Sequence, residues 1–386
     1  MRDARRLNLS PVRILSPVRI LILLPLVVLS SGCRGPGAQG LEPDLSFEEY
    51  DPPSTLVVPA HEVTRAKYPF VDVHSHQWAM PDQDLGALTA QMDALNMAVM
   101  VNLSGRRDDS EDFLRGCLGN VAATAPSRFL VFTNVDFTGV GEPGWAEQKA
   151  EQIRRDVGLG AAGLKVYKNL GWGVEDIHGQ RVPVDDPRLD PIWAVCGSLG
   201  VPVLIHSGDP APFWEPWDAD NERWLELKQK PERRRAPDAV PWEQILAEHW
   251  NLFARHPGTT FISAHLSWLG HDLRRLGALL DAHPNVHTEI GAVLAELGRQ
   301  PRFAREWFVA HQDRVLFGKD LWAPDEYPVY FRVLQTDDDY VPYYRRRHAF
   351  WRLYGLHLPD PVLRKLYYGN ALRLFPQIDR SLFPAD

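Results

Sequence analysis

Short apolar runs alternate with amphipathic stretches along most of this chain, and the alternation limits the folds it can adopt. The strand-like runs are Phe70–Val73, Ala98–Leu103, Phe129–Asp136, Ala162–Tyr167, Val201–His206, Thr260–His265, Val286–Ile290 and Val315–Phe317. The helix-like stretches are Leu85–Met97, Glu111–Thr124, Trp145–Asp156, Pro191–Leu199, Trp242–Arg255, His271–His283, Pro301–His311 and Pro361–Leu374. Eight strands that alternate with helices predict an α/β fold, a (β/α)8 TIM barrel. An open doubly wound sheet is the alternative, but no Gly-x-Gly-x-x-Gly motif follows the first strand to support a dinucleotide site.

Two segments are longer than the connections of a barrel require. Gly208–Pro241 lies between the fifth strand and its helix, and Leu321–Asp360 follows the eighth strand. Both are rich in Trp or Tyr, which favours packed structure over disorder, because such side chains lose free energy by staying in water. Both also leave from the strand ends where barrel enzymes build their sites. We therefore predict cap-like insertions after strands 5 and 8, packed on each other over the site.

The N-terminal 33 residues resemble a bacterial export signal. An Arg-rich front precedes the apolar run Ile20–Leu29, which is shorter than the ~20 residues that span a bilayer. The run leads into Ser30-Ser31-Gly32-Cys33, similar to a lipobox, whose cysteine is lipidated. An ordinary cleaved signal or a short anchor is the alternative. We predict a lipoprotein signal peptide over residues 1–33, a flexible tether over 34–66 and a barrel over 67–376, anchored in a bacterial cell envelope and facing the periplasm.

Composition restricts the partners of the protein. The formal net charge of the 386-residue chain is −8, although its signal-like segment is basic. An acidic body argues against nucleic acid as a partner, so we expect a small-molecule substrate, with the membrane contacted through the lipid anchor. The oligomeric state stays open. Cys117 and Cys196 lie in helices that follow different strands, and no disulfide is expected between them.

Polar residues of the metal-binding and catalytic types stand at the ends of several predicted strands. They are His74 and His76 after the first strand, Lys165 in the fourth, His206 ending the fifth, His265 ending the sixth and Asp320 after the eighth. Positions two apart in a strand point to the same side, so His74 and His76 can grip one ion. In a barrel all of these strand ends meet at one mouth. Taken singly, a buried histidine is more often a hydrogen-bonded core residue than a ligand.

The order and context of these residues resemble the amidohydrolase superfamily. The greater similarity is to its amidohydrolase-related branch, which includes the aminocarboxymuconate-semialdehyde decarboxylases and several lactone hydrolases. The resemblance covers about Tyr68 to Leu374, and Gly369-Asn370-Ala371 is similar to the Gly-Asn-Ala that often opens the branch's last helical turn. One departure is Lys319, which stands where the family commonly has Ser or Thr before the aspartate.

The resemblance implies roles for particular residues. His74, His76, His206 and Asp320 would bind a divalent metal ion, with Zn²⁺ expected and Mn²⁺ or Fe²⁺ as alternatives, since the same ligands suit all three. Asp320 would move a proton from water to the leaving group, and His265 would orient the water or polarise the carbonyl group. Lys165 would either bridge two ions as a carboxylated lysine or hold a substrate oxygen beside a single ion, and we favour the single ion.

These inferences together predict an enzyme, a metal-dependent hydrolase of a small ester, lactone or amide. A metal-dependent non-oxidative decarboxylase is the enzyme alternative. A lipoprotein that binds a metal or ligand without turnover is the alternative from another class. The weaker site candidate Glu289, on the seventh strand, either faces the site or packs between strand and helix. The identity of the substrate stays open.

Overall fold

The structure, a computed structural model, describes residues 46, 48–107, 110–348 and 351–385. The chain divides into two compact units, residues 1–50 and 51–386. Within the first unit the described residues form a turn in which the Glu49 N–H donates to the Ser46 carbonyl oxygen at 3.1 Å. The predicted signal peptide, Cys33 and much of the tether lie outside the described residues. No helix in the described part of the chain is long and apolar enough to cross a membrane.

Within the second unit, the chain before the barrel contains no helix or strand. Residues 51–60 are exposed, and the first strand begins at Phe70. His61 is nevertheless held in place, because its N–H donates to Asp338 at 2.8 Å and its Nδ1 lies 2.5 Å from the same carboxylate. This contact attaches the predicted tether to the insertion that follows the last strand.

Eight parallel strands form a (β/α)8 barrel in the described residues, as the alternation predicts. They are β1 Phe70–Ser75, β2 Met97–Asn102, β3 Phe129–Val131 with Thr133–Asn134, β4 Leu164–Val166, β5 Val203–Ile205, β6 Phe261–Ser263, β7 Val286–Glu289 and β8 Val315–Leu316. Each strand pairs in parallel with the next along the chain. The Val73 N–H donates to Phe317 O at 3.0 Å and the Asp320 N–H to His74 O at 2.7 Å, so the first strand is joined to the last.

The third strand is interrupted at Phe132, where the sequence predicts a continuous run. The Phe132 N–H donates to Asn102 O at 2.9 Å, whereas the next N–H, of Thr133, donates to Gly163 O at 2.9 Å. The strand therefore changes its hydrogen-bonding partner from β2 to β4 at this residue. Such a change depends on the twist and stagger of the barrel, which sequence pattern does not carry.

Twelve α-helices occur in the described residues, some around the barrel and others in the two long insertions. They are α1 Leu85–Leu95, α2 Glu111–Thr124, α3 Trp145–Leu159, α4 Asp190–Leu199, α5 Trp224–Gln229, α6 Trp242–Arg255, α7 Leu273–Ala282, α8 Leu294–Arg299, α9 Pro301–Ala310, α10 Tyr327–Gln335, α11 Asp360–Arg364 and α12 Asn370–Leu374. In α7 the buried residues are Leu273, Leu276, Gly277 and Leu280, which recur with helical period. A π-helical turn, Lys365–Gly369, joins α11 to α12.

The two long insertions pack against each other, which confirms the predicted cap-like arrangement. The first carries α5, and the second carries α10, the hairpin Val341–Pro342 with Arg352–Leu353, and a short 3₁₀ turn at Arg346–His348. Arg223 Nη1 of the first lies 2.6 Å from His348 Nε2 of the second. Both insertions line one cavity of about 110 Å³ together with His206, His265 and Asp320.

Candidate metal centre

His74 and Asp320 meet where the first and last barrel strands are joined. His74 and His76 lie two residues apart at the end of β1, and their Nε2 atoms are 3.4 and 3.7 Å from Asp320 Oδ1. One ligand atom from each of the three residues lies within 4.8 Å of the others. Asp320 adopts a left-handed backbone conformation, with φ of 85°. Gly318 is required nearby, since a Cβ there would lie 2.5 Å from Glu289 Oε2.

The sixth strand presents His265 through an uncommon turn. Four consecutive non-glycine residues, His265–Trp268, have φ values of 58°, 52°, 54° and 56°. Left-handed conformation costs about 1–2 kcal/mol per residue, so the surrounding structure must hold this turn in place. The turn brings the ring of His265 to 4.9 Å from that of His74 and 4.4 Å from that of His206, measured between centroids. The strand prediction for Thr260–His265 therefore ends two residues too late.

The Nδ1 atoms of three histidines have partners that leave Nε2 pointing inward. His265 Nδ1 lies 2.8 Å from the Gly291 carbonyl oxygen, and since a carbonyl oxygen only accepts, Nδ1 carries the hydrogen. His74 Nδ1 donates to Glu289 Oε1 at 3.0 Å, and His76 Nδ1 lies 2.7 Å from Ser104 Oγ. Such partners fix the tautomer and orientation of metal-binding histidines in proteins.

Four buried nitrogen atoms at the site have no hydrogen-bond partner within the described residues. They are Nε2 of His74, His206 and His265, and Nζ of Lys165. Buried polar atoms are nearly always paired, so this set needs a partner that the protein does not supply. Imidazole nitrogens beside the Asp320 carboxylate match the donor set of Zn²⁺, Mn²⁺ or Fe²⁺. His206 does not belong to the close group of His74, His76 and Asp320. Its ring is next to that of His265, which places it at the edge of the site.

Burial sets the charge of the histidines. It lowers the pKa of His74 and of His206 well below the ordinary value, and that of His76 to about 3. These imidazoles are therefore neutral at pH 7, the form that binds a metal. Burial acts to raise the pKa of Asp320, but the surrounding histidines and Lys165 lower it below its usual value. Burial lowers the pKa of Lys165 to about 8.

Glu289 organises the site from behind, a role that sequence analysis did not resolve. Its carboxylate is fully buried and accepts from His74 Nδ1 and from the His265 N–H, the latter at 2.6 Å. Its second oxygen accepts from the Gly291 N–H. In the sequence, Glu289 is visible as an acidic residue at the end of an apolar strand. Whether its side chain faces the site depends on the register of that strand, which the sequence does not give.

Lys319, the departure from the family pattern, points away from the metal-type ligands. Its Nζ donates to the Leu321 carbonyl oxygen at 2.8 Å and to Glu326 Oε2 at 2.5 Å. The side chain is fully buried against the start of the second insertion. Lys319 therefore holds the segment that follows Asp320.

Aromatic side chains stack beside the pair of histidines, and the sequence pattern gave no sign of them. The ring of His76 stacks on Trp78 at 5.1 Å with an interplanar angle of 7°, and on Tyr167 at 5.8 Å. Tyr167 also reaches Ser104 Oγ at 3.1 Å. Trp78 is about half exposed, so one wall of the mouth is aromatic and open to solvent.

Comparison with known proteins gives one family match. The family model described as "Amidohydrolase" matches residues 71–377. Similar solved structures include 2,6-dihydroxybenzoate decarboxylase from Rhizobium, with 17% identity and a TM-score of 0.50, covering 80% of this chain and 99% of that one. No curated protein sequence matches the chain significantly. At this identity the structural likeness shows the fold.

Two further structures have slightly lower TM-scores. The 5-carboxyvanillate decarboxylase from Novosphingobium aromaticivorans, complexed with manganese, is 15% identical with a TM-score of 0.49, covering 82% of this chain and all of that one. The 4-oxalomesaconate hydratase from Rhodopseudomonas palustris is 14% identical with a TM-score of 0.49, covering 81% and 97%.

Proposed function

The chain belongs to the amidohydrolase family, and on that basis we propose that it is a metal-dependent hydrolase of a small ester, lactone or amide. The observation that carries the proposal is the set of buried imidazole nitrogens near the Asp320 carboxylate that have no hydrogen-bond partner among the residues that the structure describes. His74, His76, His206 and Asp320 are the proposed ligands of a single divalent ion, Zn²⁺ in the first instance and Mn²⁺ or Fe²⁺ otherwise. When bound, such an ion lowers the pKa of water to about 7 and polarises carbonyl oxygens.

Asp320 is the proposed proton carrier. Its lowered pKa keeps it ionised at neutral pH, so it is able to accept a proton from water. It then returns that proton to the departing alcohol or amine. The side chain is about one quarter exposed, which gives a substrate access to it.

His265 and Lys165 are proposed to bind the reacting groups. Because the His265 Nδ1–H is committed to the Gly291 carbonyl oxygen, Nε2 is the ring atom left to contact a water molecule or the reacting carbonyl group. Lys165, with a pKa of about 8, is mostly protonated at pH 7 and would stabilise negative charge on a substrate oxygen. A carboxylated Lys165 bridging two ions is the alternative, and measured metal stoichiometry decides between them.

The decarboxylase alternative uses the same residues differently. A protonated Lys165, buried beside the ligands, is equally suited to hold a substrate carboxylate. Product analysis separates the two activities, since hydrolysis yields a new acid and decarboxylation releases CO₂. A protein that binds without turnover is distinguished by Asp320→Asn, which would leave substrate binding intact in that case and abolish turnover in an enzyme.

The proposal is tested by metal analysis of the purified protein, followed by a screen of lactones, esters, amides and carboxylated aromatics. We expect about one ion per chain and turnover of at least one hydrolysable substrate. The His74→Ala/His76→Ala variant should lose stoichiometric metal and turnover while its circular dichroism spectrum stays that of the folded protein. Full metal content in this folded variant would refute the ligand assignment.

We propose further that the enzyme is a lipoprotein of the bacterial cell envelope that faces the periplasm. The support is the order of the N-terminal segment, in which an Arg-rich front and the apolar run Ile20–Leu29 precede Cys33.

A further inference from the structure

Positive charge exceeds negative charge where the two insertions meet. Glu226 faces Arg223 Nη1 at 3.2 Å and Arg347 Nε at 3.6 Å, and it also pairs with Arg233. Glu296, the other carboxylate of this cluster, pairs with Arg223. Two carboxylates therefore face three guanidinium groups.

Of the neighbouring groups, His348 adds no charge, whereas the cations around Asp209 add to the positive excess. His348 lies 3.1 Å from Glu226, but burial lowers its pKa to about 4, so it brings no charge at neutral pH. Asp209 faces two cations, Lys168 at 3.0 Å and Arg235. All of this belongs to a chain whose overall formal charge is −8, so the local excess is not a general property of the protein.

Arg345 has no ion-pair partner among the described residues. Its guanidinium lies 5.7 Å from the centroid of the Tyr344 ring. The nearby carboxylate of Glu326 is already bound to Lys319 at 2.5 Å. Arg347 contributes a buried Nε that has no hydrogen-bond partner in the described part of the chain. A carboxylate is the preferred partner for such guanidinium N–H donors, because its two oxygens match the geometry of the guanidinium group.

These arginines share a cavity with the candidate metal centre. Arg345, Arg347 and Arg233 line the same cavity of about 110 Å³ as His206, His265 and Asp320. A molecule whose reacting bond lies at Asp320 therefore extends toward the arginines. A second cavity of about 270 Å³, which Arg223 also lines, is not lined by the proposed ligands.

We propose that Arg345 and Arg347 bind a free carboxylate on the part of the substrate remote from the reacting bond. The substrate class is then an ester, lactone or amide that carries a second, unreacting carboxylate. This inference rests on the proposed function for the position of the reacting bond. The excess of guanidinium groups over carboxylates and the shared cavity carry the inference itself.

The test compares dicarboxylates with monocarboxylates of the same chain length on the metal-loaded protein. The probes are succinate, glutarate and adipate against butyrate, valerate and hexanoate, with affinity measured by isothermal titration calorimetry. We expect at least one dicarboxylate to bind about tenfold or more tightly than its monocarboxylate, the effect of one charge-assisted contact. In Arg345→Gln/Arg347→Gln this advantage should fall below about twofold.

Arg346→Gln is the matched control, because Arg346 lies between the two arginines but its side chain is 85% exposed. It should keep the dicarboxylate advantage. Arg345→Gln alone serves if the double variant fails to fold, since Arg345 makes no ion pair with any residue that the structure describes. An unchanged advantage in folded Arg345→Gln, or an equal loss in Arg346→Gln, would overturn the proposal.

The binding assay needs no turnover, so its result is separate from that of the proposed function. An arginine-dependent dicarboxylate advantage without hydrolysis of any compound would refute the hydrolase and keep the carboxylate site. Hydrolysis with no preference for carboxylated substrates and no effect of Arg345→Gln would refute the carboxylate site alone.

Discussion

The carboxylate of Glu289 connects two histidines of the candidate site that come from different strands of the barrel. It accepts from the His74 ring and from the His265 and Gly291 backbone N–H groups. In Glu289→Gln the amide nitrogen is a donor and would face one of these donors. We expect metal affinity to fall about 10–100-fold, the usual effect of losing a partner of a ligating histidine. Competition with a chromogenic chelator measures it.

The control for Glu289→Gln is the same change at Glu147, an exposed residue in the first turn of α3. Glu147→Gln should bind metal as the unaltered protein does. Equal affinity in both variants would show that Glu289 supports the fold without tuning the ligands.

Burial of the charged Lys165 side chain is expected to lower the free energy of unfolding. Folding lowers its pKa from 10.5 to about 8, so the unfolded chain binds more protons between these pH values and stability rises as pH increases across them. In the metal-free protein at pH 7, Lys165→Met should raise the free energy of unfolding by about 2–3 kcal/mol while turnover is lost. Urea denaturation at pH 7 and pH 10 measures the difference, which should shrink at the higher pH. Equal stability at pH 7 would contradict this account.

Residue type and spacing were enough to predict that His74, His76 and Asp320 lie together in the candidate site. The positions of other side chains there depend on backbone geometry that the sequence pattern does not give. The strand periodicity of β1 places His74 and His76 on one side, and family resemblance brings Asp320 to them, as the structure shows. The face occupied by Glu289 depended on strand register. The stacking of Trp78 on His76 depended on a loop path that no local pattern specifies.

At the scale of elements, alternation predicted the strands and their partner helices but not their irregularities. The left-handed turn His265–Trp268 contains no glycine, so propensity gives no signal for it. It forms because tertiary contacts, including the bond from the His265 N–H to Glu289, stabilise an unfavourable backbone. The interruption of β3 likewise reflects the closure of the barrel.

The segment after β8 carries a prediction of its own through Lys319. Lys319→Ser restores the small residue common in the family but removes the bonds to Glu326 and to the Leu321 carbonyl oxygen. We expect the free energy of unfolding to fall by about 1–3 kcal/mol, because the lost ion pair is partly buried. Urea denaturation of the metal-free protein measures it.

The double variant Lys319→Ser/Glu326→Gln is the comparison for Lys319→Ser. It should recover part of the lost stability, since no unpaired carboxylate remains. Unchanged stability in Lys319→Ser would mean that the second insertion does not depend on this contact.

At the scale of the whole molecule, the anchor prediction depends on Cys33, which lies outside the described residues. Cys33→Ala should abolish incorporation of radiolabelled palmitate in a bacterial host and leave the protein unprocessed or soluble. Firm anchoring needs more than one acyl chain, so loss of the modified cysteine should release most of the protein. Fractionation into membrane and soluble pools measures this, with Ser10→Ala in the Arg-rich front as the control. Equal membrane partitioning of Cys33→Ala and the unaltered protein would show another means of attachment.

The bonds that join β1 to β8 also govern the order in which the protein can be assembled. Val73 and His74 come from the first strand, whereas Phe317 and Asp320 directly follow the last. A chain emerging from the ribosome holds the proposed ligands His74 and His76 early and His206 later, and it lacks Asp320 until nearly all of the barrel has been synthesised. These contacts have high sequence separation and form slowly, because loop closure must precede them. We therefore expect metal binding at the proposed site to be a late event in biogenesis, because a truncated or nascent chain would have no complete set of proposed ligands.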